Sequence, residues 1–347
     1  MFENKTQRTE LSEIGEFGLI KHIEKSVKTF HSETIKGIGD DAAVIESDGK
    51  IKVVTTDMLL EGIHFDLAYS PLKHLGYKAV VVNLSDIYAM NALPKQILVS
   101  IGLSNRFSLE AVEELYSGIN MACEKYKVDL IGGDTSSSAS GLVISVTAIG
   151  SAENKNEIVY RNSAKENDLI CVSGDLGAAY LGLQLLNREK KIFLENPKVQ
   201  PDLSGFDYLL ERQLKPEARK DIIKQLKIAG VKPTSMIDIS DGLASELFHI
   251  CTQSETGCII YEKKIPVDVK AAELAQEFNL NPTVCALSGG EDYELLFTIA
   301  QKDYAKIQSF KDISVIGNIT NKSDGMKMSD ASGNEIELKA QGWNAFH

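Results

Sequence analysis

The chain has 347 residues, 43% of them apolar and 25% charged, with a net charge of −12. That length is more than one ordinary core needs, and the acidic balance argues against nucleic acid or an anionic membrane as partner. No apolar run approaches the roughly 18 residues of a membrane span, and "MFENKTQRTELSEIGEF" lacks the apolar segment of a secretory signal.

In chain order, Ser12 is a candidate cap for a helix over 12–30, with Ile14, Phe17, Ile20 and Ile23 at helical spacing. Residues 42–59 read as a hairpin turning at Asp48-Gly49. A helix over 70–92 takes Ser70 as cap and Pro71 at its first position, with Asn83, Asp86 and Met90 near one face. A strand at 95–103, a helix at 108–126 and strands at 128–135 and 141–151 follow. The polar stretch 151–168 reads as a domain junction. Beyond it, 169–186 reads strand, glycine turn, helix, and 187–205 a charged loop with short helical pieces. Helices at 217–230, 242–254, 268–278 and 303–310 then alternate with strands at 235–241, 257–262, 293–299 and 313–319, before a closing hairpin. This order predicts two α+β domains, about 1–151 and 152–347. Cys123, Cys171, Cys251, Cys258 and Cys285 are odd in number, irregularly spaced and mostly within apolar segments, so buried, reduced thiols and a cytoplasmic protein are expected.

Carboxylates recur at the ends of apolar segments, beside Gly, Ser and Thr: "GIGDDAAVI" (37–45), "VVTTDML" (53–59), "NLSDIYAM" (83–90), "LIGGDTSS" (130–137), "IDISDGL" (237–243) and "SGGEDYELL" (288–296). Any one of these could be a cap or a turn. As a set around one cleft they would repel unless cations neutralised them. Hard oxygen donors with few His or Cys select Mg²⁺ over Zn²⁺, and Mg²⁺ so held usually serves a phosphorylated substrate. No GxxxxGK[ST] and no protein-kinase motif set occurs. "GDLGAAYLG" (174–182) is a loose glycine turn into a helix that could offer N–H groups to phosphate.

With the terminal "QGWNAF", these motifs resemble the thiamine-monophosphate kinase family, within the superfamily of aminoimidazole ribonucleotide synthetase and selenophosphate synthetase. The resemblance runs from Glu16 to Phe346. It implies an α+β, two-domain aminoimidazole ribonucleotide synthetase-like fold, with mixed sheets and helices packed on one side. It implies ATP-dependent phosphorylation of thiamine monophosphate to thiamine diphosphate. It further implies that Asp41, Thr56, Asp57, Asp86, Asp134, Asp238 and Asp241 hold several Mg²⁺ ions, with Thr55 contributing nearby. Asp40 is a weaker candidate beside Asp41. Gly133, Asp134, Arg161 and Ser240 would contact ATP; His64, Glu291 and Trp343 would contact the thiamine; Asp57, Asp241 and Arg161 would serve the transfer itself. A homodimer joined through N-terminal strands is implied, and a K⁺ requirement stays open. Taken alone, His64 could be a surface histidine, Arg161 a solvated side chain of a polar junction, Glu291 a turn acid and Trp343 a plug over the core edge. Other members of the superfamily, or a non-catalytic nucleotide or cation sensor on the same fold, are the alternatives. Selenophosphate synthetases use a reactive Cys or selenocysteine near the N-terminus, whereas no Cys precedes Cys123 here.

Overall fold

The computed structural model describes residues 11–339, with side chains from 15 onward. Its elements are α1 (Leu11–Ser26), β1 (Thr34–Lys36), β2 (Ala43–Ser47), β3 (Lys50–Leu60), α2 (Leu72–Ala89), β4 (Leu93–Leu103), α3 (Leu109–Tyr126), β5 (Asp129–Ser137) and β6 (Val143–Ala152). There follow β7 (Leu169–Ser173), α4 (Ala178–Glu195), α5 (Asp207–Leu214), α6 (Lys220–Ala229), β8 (Ser235–Asp238), α7 (Leu243–Ser254), β9 (Gly257–Tyr261), α8 (Val269–Glu277) and α9 (Pro282–Ser288). Last come β10 (Leu295–Ile299), α10 (Tyr304–Ile307), β11 (Ile313–Thr320), β12 (Met326–Ser329) and β13 (Glu335–Glu337).

Among the described residues the strands form two mixed sheets. The first is ordered β1-β2-β3-β6-β4-β5, the second β13-β12-β9-β11-β7-β10-β8. Only β4/β5 and β12/β9 pair in parallel. In the first sheet, alternate residues such as Val53, Val99 and Val146 are buried toward α2 and α3. The opposite face stays open, with Thr56, Met58 and Ser100 exposed on it. Helices on one side therefore hold for this sheet. The second sheet is covered on both faces: Cys171, Met236 and Phe297 join one core, Ile170, Ile237 and Leu296 another.

α2 lies between the sheets. It touches β3, β4 and β6 on one side and β8 and α5 on the other, so it is buried nearly all round from Leu75 to Ala89. A single apolar core accordingly runs from Val53 and Val146 through Val80, Leu84 and Ile87 to Met236 and Phe297. Helix α3 sits close on α2 because Gly76 and Gly118 present bare backbone at the crossing: a Cβ on Gly118 would lie 1.8 Å from Lys73 O.

Several expectations change locally. Ser70 does not cap α2; its N-cap is Pro71, which has no side-chain cap bond. Gly15 leaves helical geometry (φ 65°) and breaks α1. α4 continues to Glu195, through much of the expected charged loop. The polar junction buries Ile158 and Val159, and Val159 N–H donates to Met90 O at 3.3 Å. All five cysteines are buried, without disulfides. No described helix is long and apolar enough to cross a membrane.

Candidate active site

A cleft of about 1440 Å³ opens between the sheets, lined by α1, the 36–43 loop, β3, α2, α4, α5 and the loops after β8 and α9. Its floor is acidic. Carboxylate oxygens of Asp41, Asp86 and Asp238, from a loop, from α2 and from the end of β8, lie within 4.8 Å of one another. Asp57 and Asp241 line the same cleft. Burial, then the neighbouring Asp41, pushes the Asp238 carboxyl up to about 8. Burial, then Asp41, raises Asp57 to about 6, while burial and Glu16 raise Asp241 to about 6. Burial, followed by Asp57, lifts Asp86 well above the ordinary range, and burial with Asp41 lifts Asp40 to about 7.

The surrounding structure aims these groups. Thr55 Oγ1 donates to Asp86 Oδ2 at 2.6 Å, Ser85 Oγ to Asp238 Oδ2 at 2.6 Å, and Asp57 N–H to Asn83 Oδ1 at 3.0 Å. Arg161 grips Asp41 with two bonds, Nη2–Oδ1 at 2.6 Å and Nε–Oδ2 at 3.2 Å. It is therefore an interior ion pair rather than a solvated junction residue. Glu246, on the first turn of α7, accepts from Asp241 N–H at 2.9 Å and Ser240 N–H at 3.3 Å and so fixes the "SDG" loop. Ser85 and Glu246 escaped the sequence reading. Glu246 carried a signal, an acid placed to cap the helix after "SDG".

The floor fits a hard divalent cation. Oxygen donors from separate elements converge in a buried space, and Arg161 is the cation paired with them. Asp40 Oδ2 and Glu246 Oε2 are buried with no hydrogen-bond partner. Buried carboxylates this close are disfavoured without further positive charge.

Farther along the cleft, His64 Nδ1 accepts from Leu60 N–H at 3.0 Å, leaving Nε2 as the protonated nitrogen of the neutral ring. Burial lowers its pKa. Glu291 stands at φ 58° and donates its N–H to Ser240 O at 2.6 Å, which ties the 288–293 turn to the "SDG" loop. The helix N-terminus behind "GDLGAAYLG" is already occupied: Asp292 Oδ2 accepts from Gly177 N–H at 2.8 Å. A protein carboxylate, not a phosphate, answers that end of α4.

Not every candidate joins the floor. Thr56 pairs across the sheet with Thr147, and their hydroxyls meet at 3.1 Å, on the face opposite Thr55 and Asp57. Gly133 and Asp134 lie on edge strand β5, whose every residue is exposed. Three strand steps separate β5 from β3, about 14 Å at sheet spacing. Trp343 lies outside the described residues.

Residues 39–152 match the family model for the AIR synthase related protein, N-terminal domain. Thiamine-monophosphate kinase from Aquifex aeolicus (strain VF5) is 35% identical over 337 residues, covering 97% of this chain and 99% of the relative. That from Bacillus subtilis (strain 168) is 34% identical over 338 residues, covering 95% and 99%. The solved structure of AaThiL complexed with AMPPCP and TMP superposes with a TM-score of 0.84 at 33% identity, covering 98% of this chain and 100% of that one. Hydrogenase maturation protein HypE in complex with ATP, 17% identical with a TM-score of 0.69, shares the fold. With identity above 30% sustained along nearly the whole chain, this protein belongs to the thiamine-monophosphate kinase family.

Proposed function

We propose that this chain transfers the γ-phosphoryl group of ATP to thiamine monophosphate, forming thiamine diphosphate and ADP. The observation that carries the reading is the convergence of Asp41, Asp86 and Asp238 within 4.8 Å on the floor of a cleft, in a chain whose full-length relatives are thiamine-monophosphate kinases. Asp41, Asp57, Asp86, Asp238 and Asp241 would hold Mg²⁺. The bound ions would neutralise phosphate oxygens and line up donor and acceptor.

The acceptor is a phosphate monoester with a second pKa near 6, so it is already anionic at neutral pH and needs no general base. Thr55 and Ser85 keep Asp86 and Asp238 oriented, and Arg161 holds Asp41 while facing the same charge. Ser240, exposed in the cleft, is available to ATP. His64 and Glu291 would receive the thiamine, with Trp343 stacking on one of its rings. Trp343→Ala should then raise the KM for thiamine monophosphate about 3- to 30-fold while leaving that for ATP unchanged.

The roles of Gly133, Asp134 and Thr56 belong with a second copy of the chain. Gly133 and Asp134 lie on an open edge away from the carboxylate floor, Thr56 at the cleft's rim on the open sheet face, and exposed apolar residues such as Met58 and Ile131 lie nearby. A homodimer formed through this sheet would cover that surface, and sedimentation at micromolar protein reads it directly. The two sheets are the basis for treating 1–151 and 152–347 as two domains. Cytoplasmic location and any K⁺ requirement belong to the same proposal. Incubation with γ-labelled ATP, Mg²⁺ and thiamine monophosphate tests the reaction. Label should reach thiamine diphosphate and never the protein; a kinetically competent labelled protein would defeat direct transfer.

A further inference from the structure

Lys78 is a buried cation facing the cleft for which the chemistry above has no task. It is 4% exposed, on α2, eight residues before Asp86. Its Nζ lies 3.0 Å from Glu291 Oε1 and donates to Gln213 O at 3.0 Å. Gln213 Nε2 in turn donates to Glu291 Oε2 at 2.8 Å. Both oxygens of Glu291 are thus held, one from α2 and one from α5, while its side chain keeps 27% exposure toward the cleft. Stability alone is a weak reason for this arrangement, because a buried ion pair is often no better than apolar residues of the same volume.

The place along α2 says what the held carboxylate can meet. Eight residues of helix span about 12 Å. That is the order of an extended thiamine monophosphate whose phosphate lies at the Asp86 end. The far end of such a molecule is the aminopyrimidine. Paired with Lys78, Glu291 adds no net charge there, so the pair suits a hydrogen-bonding amine better than the thiazolium cation. The geometry points to Lys78 as a positioning residue that holds the Glu291 carboxylate where it accepts from the aminopyrimidine of thiamine monophosphate. This rests on the kinase reading above.

Steady-state kinetics of Lys78→Met, Glu291→Gln and the double variant test it. Lys78→Met should raise the KM for thiamine monophosphate about tenfold, the size of one lost oriented hydrogen bond, with kcat and the KM for ATP within about threefold. In the Glu291→Gln background the same change should matter less than about twofold, because Lys78 acts through Glu291. Lys78→Gln, which keeps a donor without the charge, is the second variant should Lys78→Met fail to fold, and should raise that KM about threefold. Unchanged KM for thiamine monophosphate in the folded variants would overturn the inference. So would parallel losses in both KM values, kcat and melting temperature, which mark a purely structural residue. Wild-type protein that forms no thiamine diphosphate would overturn the kinase reading and this inference with it. Wild-type turnover with unaffected variants would remove this inference alone.

Discussion

Asp57 and Asp238 show how far single side chains are bent to one task. Asp238 is buried and Asp57 half-buried, and each has its carboxyl pushed up, to about 8 and about 6, by desolvation first and then by Asp41. Neither position serves the fold by being charged. Replacing either with Asn removes charge at nearly constant volume. We expect Asp57→Asn and Asp238→Asn to lose at least about a hundredfold in kcat/KM while melting no lower than wild type in EDTA. Near-normal turnover of both at saturating Mg²⁺ would contradict the metal role. Residue identity was legible here because a carboxylate at the end of an apolar segment is a local pattern. Arg161 was legible only through the family resemblance: its own stretch of chain reads as a polar junction, and its partner Asp41 lies 120 residues away. The split between Thr55 and Thr56 was hidden as well, since it depends on which face of β3 is covered.

At the scale of elements, α2 is the part that makes the site. One helix carries Lys78, Asn83, Ser85 and Asp86, and it can aim them in different directions because it is enclosed by both sheets and by α3. Such a helix is apolar all round in its middle, so sequence periodicity does not say which polar residue faces what. That is why Asn83 and Asp86 were legible as a face, while Lys78 and Ser85 were not. The α2–α3 crossing sets the helix's position. A Cβ at Gly76 would fall 2.0 Å from Leu115 O, and one at Gly118 falls closer still to Lys73 O. Gly118→Ala should therefore destabilise the protein by about 1–3 kcal/mol or more through overpacking, measured by urea denaturation. It should also lower kcat, because α2 moves with Asp86. Retention of both stability and kcat would mean that the helices separate without disturbing the site. The short helices α5 and α9 were missed for a related reason: at 8 and 7 residues they offer too few turns for a pattern to stand out.

For the whole molecule, the consequence is a pH dependence with an unusual sign. Asp40, Asp57, Asp238 and Asp241 all have folded values raised above the ordinary 3.8, to between about 6 and about 8. Protonation therefore favours the folded state. Their contribution is complete below about pH 4 and is lost as pH rises through those folded values. Carboxyls held below their ordinary values, such as Glu61 and Asp66, act in the opposite sense but only below about pH 5. In EDTA the melting temperature should fall between about pH 6.5 and 8, above the range in which His249, held down to about 4 by burial, acts in the opposite sense, and saturating Mg²⁺ should flatten that fall by neutralising the cluster. A melting temperature that rises with pH in EDTA, or that ignores Mg²⁺ at the alkaline end, would contradict the buried-cluster account. The alternation of strands and helices and the acidic motifs were readable along the chain. The single core that α2 shares between the sheets was not, because it arises from contacts between halves far apart in sequence. The reaction itself is read by quantifying ADP and thiamine diphosphate together, with ATP and Mg²⁺ fixed and thiamine monophosphate varied. Phosphoryl transfer to thiamine monophosphate should give one thiamine diphosphate per ADP, negligible ADP without thiamine monophosphate, and no product in EDTA; ADP release that is independent of thiamine monophosphate, or that yields no thiamine diphosphate, would rule that transfer out.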